Sequence, residues 1–508
     1  MTGLWQSVVG RVGNLRGGWK PPLAPILTVV TLAVFATHAP FLHLPYFWDE
    51  AGHFIPAARD LLELGRWIPI STPPNIHPPG VVAYLALAWK LAGYSLITTR
   101  VAMLVLASLG LLATFLLARE FGATGYQPYL ATLLLFVSPL FFAQSMLAQL
   151  DAPAMLFTVL ALLFFLRGDY ALSAAMCAVL ILVKETGLIV PLMLAAVLLK
   201  EHRRREAAWF AWPVLLLAAW IAILTQRTGH WAGSSEFASY NLRYLLDPFR
   251  LAVSFLRRLY YVSIANFHWI GTIAILLGWR RSRCFRTRLW RIGFLFVAAH
   301  LTLVALFGGA SLERYLLPIM PVVYAAMAAA LAAQPRSARV IGSSVLVAGL
   351  AAGNWINPPY PFPYENNLAV VDFVDVHKRA AAYLAGAYPL ARINTAWPLT
   401  EELAHPELGY VATSLSINSI PDLTAHSLEG LDWRQVQLLV TFSRDWDCPP
   451  NVMHLHSVRS LWQRHYGALS ATRVETEAVV PLPLAAHFEQ RGQWVDIFVN
   501  PAFAEGAR

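Results

Sequence analysis

Apolar residues in this chain come in long unbroken blocks, separated by short polar or basic stretches, so the prevailing period is neither that of a strand nor that of a one-sided helix. A membrane-spanning helix needs about 20 such residues, and blocks of that kind recur from Pro22–Leu42 and Ser95–Leu117 onward. Further spans are expected near Pro128–Phe142, Ala152–Leu166, Ala171–Val183, Gly187–Leu199, Ala208–Leu224, Val262–Leu277, Ile292–Phe307, Leu316–Ala333 and Val340–Ala352. Together these make about 11 transmembrane helices. Val81–Leu91, bounded by Pro79 and Gly93, is read instead as an interfacial or re-entrant helix in the outer leaflet. The first block is longer than a signal-peptide core and lacks a clean cleavage site, so it is expected to be retained.

Beyond Trp355 the pattern changes. The proline-rich run Asn357-Pro-Pro-Tyr-Pro-Phe-Pro opens a segment with no span-length apolar block. A short helix is expected at Val376–Ala387, and strands at Val436–Thr441, Glu475–Val480 and Trp494–Val499. The expected organisation is a membrane domain over residues 1–354, with a long first external loop at 43–94, and a soluble α/β domain over 355–508.

Composition agrees with a polytopic membrane protein: 57% of residues are hydrophobic and 13% charged, against roughly 45–50% and 25% in soluble domains. The net charge of +9 is a topology signal rather than a polyanion site. Its cations gather in short loops such as Arg203–Arg205 and Arg280–Arg291, which the positive-inside rule places in the cytoplasm. Arg11, Arg16 and Lys20 put the N-terminus on that side too, and the parity of the spans puts the C-terminal domain outside a plasma or inner membrane. Cys177, Cys284 and Cys448 show no metal or redox spacing.

The chemistry concentrates at the outer ends of these spans. Asp49-Glu50 follows the first span directly, where carboxylates are costly unless used. Asp49 there suits a general base and also suits the N-cap of a helix over Ala51–Gly65. Glu50, His53 and Arg59 lie in the same loop, positioned to orient it. Asp151 opens another span, as a cap or to hold Asp49, a substrate group or a metal ion. Lys184-Glu185 interrupts an apolar stretch, either as a self-neutralising pair or with the lysine on a phosphate. Arg314, followed by Tyr315, stands at the mouth of a further span, as a snorkelling anchor or a bidentate phosphate ligand. His77-Pro78-Pro79 closes the first loop, and no nucleotide-binding or serine-hydrolase motif appears in a fitting context.

Asp49-Glu50, the helix through Arg59, Gly65-Arg66-Trp67, His77-Pro78-Pro79, Asp151, Lys184 and Glu313-Arg314-Tyr315-Leu316-Leu317-Pro318 resemble the GT-C fold glycosyltransferases. Within them the similarity is to protein O-mannosyltransferases and the lipid A aminoarabinose transferase. The resemblance implies a sugar donor on a polyprenyl phosphate and transfer to a lipid, glycan or protein acceptor at the outer face, without nucleic acid. It also implies Asp49 and Asp151 as catalytic carboxylates, with Glu50, His53, Arg59, His77, Lys184, Glu185, Arg314 and Tyr315 on the substrates. No organic cofactor is implied, and a divalent metal stays open. Ile76-His77-Pro78 departs from the Glu-Lys-Pro of the lipid A enzymes, which removes a lysine expected on the phosphate. The competing reading is a secondary transporter or flippase of lipid-linked sugars. That reading calls for paired repeats and a midplane polar site, neither of which the chain displays.

Overall fold

The apolar blocks fold as helices because their backbone groups must be satisfied within the segment where no water reaches. The computed structural model describes residues 23–242, 245, 247–281, 284–307, 312–358, 362–443 and 479–504. Arg11, Arg16, Lys20, Cys448 and most of the expected strand at Glu475–Val480 lie outside the described residues. Contacts divide the chain into two compact units, one of residues 1–42 and 57–353, the other of residues 43–56 and 354–508.

The first unit is helical. Among its described residues, 5 helices are long and apolar enough to cross a membrane: Leu23–Phe41, Leu96–Glu120, Arg204–Thr228, Arg288–Leu306 and Glu313–Ala332. Two bent pairs raise the number to 7. One of them, Gln127–Val137 with Pro139–Met146, turns by 65°. The cause is local: Pro139 drives Ser138 out of helical geometry, to ψ 132, and the Ser138 hydroxyl accepts from the Phe141 N–H to start the second helix. The other expected spans fall on shorter helices, among them Asp151–Arg167, Tyr170–Val183, Ile189–Lys200 and Arg336–Ala352. The chain is a multi-pass membrane protein. The block read as interfacial forms a helix, Gly80–Ala92.

In the second unit the strands are β1 (Ile393–Thr395), β2 (Ile417–Ser419), β3 (Leu438–Phe442), β4 (Leu484–Gln490) and β5 (Gln493–Val499). They form one mixed sheet in the order β2-β1-β3-β5-β4. β1 pairs parallel to β2 and β3, while β5 runs antiparallel to β3 and β4. The β4–β5 hairpin turns on Arg491-Gly492, both in the left-handed region, as a two-residue hairpin loop requires. Every residue of β5 is buried. The helix Ala369–Ala387 extends the one expected at Val376–Ala387 and is tied to the hairpin: the Gln493 side-chain amide donates to the Ala369 carbonyl at 2.7 Å.

The segment 43–56 belongs to this second unit. The Tyr46 N–H donates to the Leu408 carbonyl at 3.1 Å, the Tyr410 hydroxyl donates to the Tyr46 carbonyl at 3.1 Å, and Phe47 packs edge-on against Phe373.

Candidate functional site

In the helical unit the polar centre is built from three helix ends. Asp151 opens the helix Asp151–Arg167, Lys184 stands where Tyr170–Val183 stops, and Arg314 lies in the tight turn Glu313–Ile319. Lys184 sits at this break because its backbone turns extended, at φ −155, which releases the side chain from the helix. Lys184 Nζ donates to Asp151 Oδ1 at 2.6 Å, and Arg314 Nε lies 3.3 Å from Asp151 Oδ2. All three are buried, the acid to 2% exposure. Asp151 makes no capping bond with its own helix. Its carboxylate instead holds the two cations that the sequence singled out for phosphate.

Tyr315 completes this group. Lys184 Nζ lies 4.2 Å above its ring and the Arg314 guanidinium 5.6 Å away. Its carbonyl accepts from His300 Nε2 at 2.7 Å, which pins the turn. Lys184, Asp151 and Arg258 are all within electrostatic reach of His300. Next along the turn, Glu313 pairs with Arg257 at 2.5 Å. Arg257 and Arg258 stand in the sequence as further phosphate candidates of the outer loop, but the pairing of Arg257 with Glu313 has no signal there, since the helix Pro248–Ser263 reads as a basic amphipathic segment.

His77 and Glu185 form the adjoining pair, with Nδ1 and Oε2 2.6 Å apart. Burial works against the Glu185 carboxylate, but the His77 imidazole and the neighbouring Lys184 outweigh it and hold the carboxyl below the usual glutamate range. The loop that delivers His77 is fastened at several points. Ile76 accepts from the Trp220 indole N–H at 2.9 Å, and Asn75 Oδ1 accepts from the His77 N–H at 3.0 Å. Farther back, Asp60 Oδ2 accepts from the Ile70 and Ser71 N–H groups and the Ser71 hydroxyl, at 2.7, 2.9 and 2.9 Å. Asp60 was not singled out in the sequence, where it looks like any polar residue of an amphipathic helix. Gly80 lets the next helix start against the end of Tyr170–Val183: a Cβ there would stand 2.4 Å from the Leu182 carbonyl oxygen.

The remaining sequence candidates are Arg59 in the same unit and Asp49, Glu50 and His53 in the other. Arg59 bonds Glu63 one helical turn on, at 3.0 Å, and lies 5.7 Å from the Tyr94 ring. Asp49, Glu50 and His53 belong to the second unit. Asp49 precedes a π-helical turn, Glu50–Phe54, that leads into the helix Ile55–Leu64, and it makes no capping bond to that turn. Glu50 is fully buried. Among the described residues, no three His, Cys, Asp or Glu side chains gather as they would to hold a metal ion.

Comparison with known proteins adds to this geometry. Residues 76–227 match the dolichyl-phosphate-mannose-protein mannosyltransferase family. That stretch contains His77, Asp151, Lys184 and Glu185. No curated protein sequence matches the chain. Among solved structures, ArnT from Cupriavidus metallidurans bound to undecaprenyl phosphate is 14% identical, with a TM-score of 0.54, over 95% of this chain and 98% of that one. The apo state of the same protein gives 14% identity and a TM-score of 0.53, over 92% and 97%. The chain has the GT-C fold.

Proposed function

We propose that this protein is a membrane glycosyltransferase that moves a sugar from a polyprenyl phosphate to a hydroxyl acceptor at the extracytoplasmic face. The observation that carries the reading is the buried Asp151–Lys184–Arg314 group. Lys184 and Arg314 bring two cations to one point, a pairing suited to an anionic phosphate. The family match over residues 76–227 and the undecaprenyl phosphate bound by ArnT point the same way.

In this reading Lys184 and Arg314 bind the donor phosphate, Asp151 positions them, and the His77–Glu185 pair borders the same subsite. The acceptor oxygen attacks the anomeric carbon, forming the new C–O bond as the bond to the phosphate oxygen breaks. The polyprenyl phosphate leaves with the electron pair, and its growing charge is stabilised by the two cations. Asp49 takes the acceptor's proton. A lipid donor accounts for placing this chemistry at span ends, and the phosphate leaving group makes a nucleotide loop unnecessary.

The test is transfer by purified protein in lipid nanodiscs, with undecaprenyl-phosphate sugars as donors, beside mass spectrometry of lipids and glycans from cells with and without the gene. One prenyl-phosphate sugar accumulating, with one glycan lost, supports the assignment; unchanged pools overturn it. Asp49→Asn lowers transfer by about 10²–10⁴-fold, the usual worth of a general base. Near-normal transfer by that variant removes Asp49 from the reaction.

A further inference from the structure

We propose that Glu50 is a positioning residue, which fixes the turn carrying Asp49 and acts on the chemical step rather than on substrate binding. This rests on the reading of Asp49 as the base, and it departs from the expectation that Glu50 touches substrate.

The turn is held at every residue around Asp49. Tyr46 is anchored through both its N–H and its carbonyl. Glu50 Oε2 accepts from the Phe47 N–H at 2.9 Å, while the Glu50 N–H donates to the Phe47 carbonyl at 2.9 Å. This reciprocal closure resembles the acid of a capping box reaching back three residues. A carboxylate with 0% exposure is spent inside the protein. Within the closed turn, Trp48 is forced to φ 47, a region that a bulky residue rarely enters. Such backbone persists only where its surroundings over-determine it. Here they do: Trp48 packs edge-on against Trp397 at 5.0 Å and Phe373 at 5.8 Å.

Trp397 also packs over Gly52, three residues past Asp49. A Cβ on Gly52 would stand 2.7 Å from the Trp397 Nε1 atom and 2.9 Å from Cζ2, so no larger residue fits while that indole keeps its place. Asp49 itself is half-buried, at φ −62 and ψ −27, between two residues whose positions are set by these contacts. A base held this way is ready before the acceptor arrives, and displacing it by about 1 Å costs on the order of 10²-fold.

The test uses full-length protein in nanodiscs, with transfer kinetics resolved into kcat and KM for donor and acceptor. Glu50→Ala is expected to lower kcat about 100-fold with both KM values nearly unchanged. Glu50→Gln, whose amide oxygen still accepts from the Phe47 N–H, is expected to recover to within about tenfold of the parent rate. Gly52→Ala lowers kcat, and adding Trp397→Phe, which removes the clashing ring atoms, restores most of it. A Glu50→Ala variant with normal kcat, one that raises only the acceptor KM, or a Glu50→Gln variant as poor as Glu50→Ala overturns the proposal. Should Glu50→Ala fail to insert, the Gly52 pair decides alone, and no suppression by Trp397→Phe overturns it. Asp49→Asn run alongside separates the two readings. Full activity there defeats the assignment of Asp49, whereas an inactive Asp49→Asn with fully active Glu50→Ala defeats only this inference.

Discussion

Asp151→Asn removes a carboxylate that Lys184 and Arg314 share, so its effect follows from what it leaves behind. Both cations are buried, at 8% and 6% exposure, and both lose their common counter-charge. Leaving a buried charge without its partner costs about 3–5 kcal/mol. The asparagine oxygen still accepts one hydrogen bond, so the lower end of that range applies. An expected loss of about 3 kcal/mol is large against the roughly 5–15 kcal/mol by which folded proteins exceed their unfolded states. Unfolding followed in detergent micelles reads this loss. The sharper measurement is the double variant Asp151→Asn with Lys184→Met, which removes one stranded cation together with the anion. It is expected to be more stable than Asp151→Asn alone, by about 1.5–3 kcal/mol for the charge-assisted bond no longer missing its acceptor. Equal stability of the single and double variants, or an unperturbed Asp151→Asn, refutes the three-residue group as a coupled electrostatic unit.

Three further outcomes are expected. Arg314→Lys keeps the charge but loses the planar fork, so donor use falls tenfold or more in steady-state kinetics, at about 1.5–3 kcal/mol per lost charge-assisted bond, with acceptor affinity little changed. An equal loss of thermal stability with donor kinetics spared would make Arg314 an anchor instead. Gly80→Ala drives a Cβ into the Leu182 backbone, so a destabilisation of about 1–3 kcal/mol and reduced transfer are expected, read by thermal unfolding and activity. Reporters fused after Arg205 are expected to signal cytoplasm, and those after Gly229 and Gly430 the outside; a cytoplasmic signal at Gly430 would break the sidedness proposed here.

The helical fold was legible because block hydropathy and the ends of apolar runs are local properties. So were Asp151, Lys184 and Arg314, each a charge at the end of an apolar run. Their mutual contact was not legible, because residues 151, 184 and 314 are brought together by packing, and a single sequence carries no trace of which helix ends meet. The same limit hid Arg257 as the partner of Glu313 and Asp60 as the clamp on the first loop. In the second unit β3 and β5 were found by their apolar β-branched and aromatic residues. The strands β1 and β2, only three residues each, are too short to show a period. The partners of the 43–56 segment lie more than 320 residues further along the chain, a separation no local pattern spans.

That separation also sets an order of events during synthesis. Roughly 300 residues divide Pro56 from Asn354, and at about 5–20 residues per second the ribosome takes some 15–60 s to make them. For that interval the Asp49 turn has been made, but Phe373, Trp397, Leu408 and Tyr410, which give it its shape, have not. A nascent chain halted between Arg314 and Asn354 therefore already holds Asp151, Lys184 and Arg314, while the Asp49 turn still lacks these neighbours. On the role proposed for Asp49, transfer is expected only once the residues that shape its turn have been made.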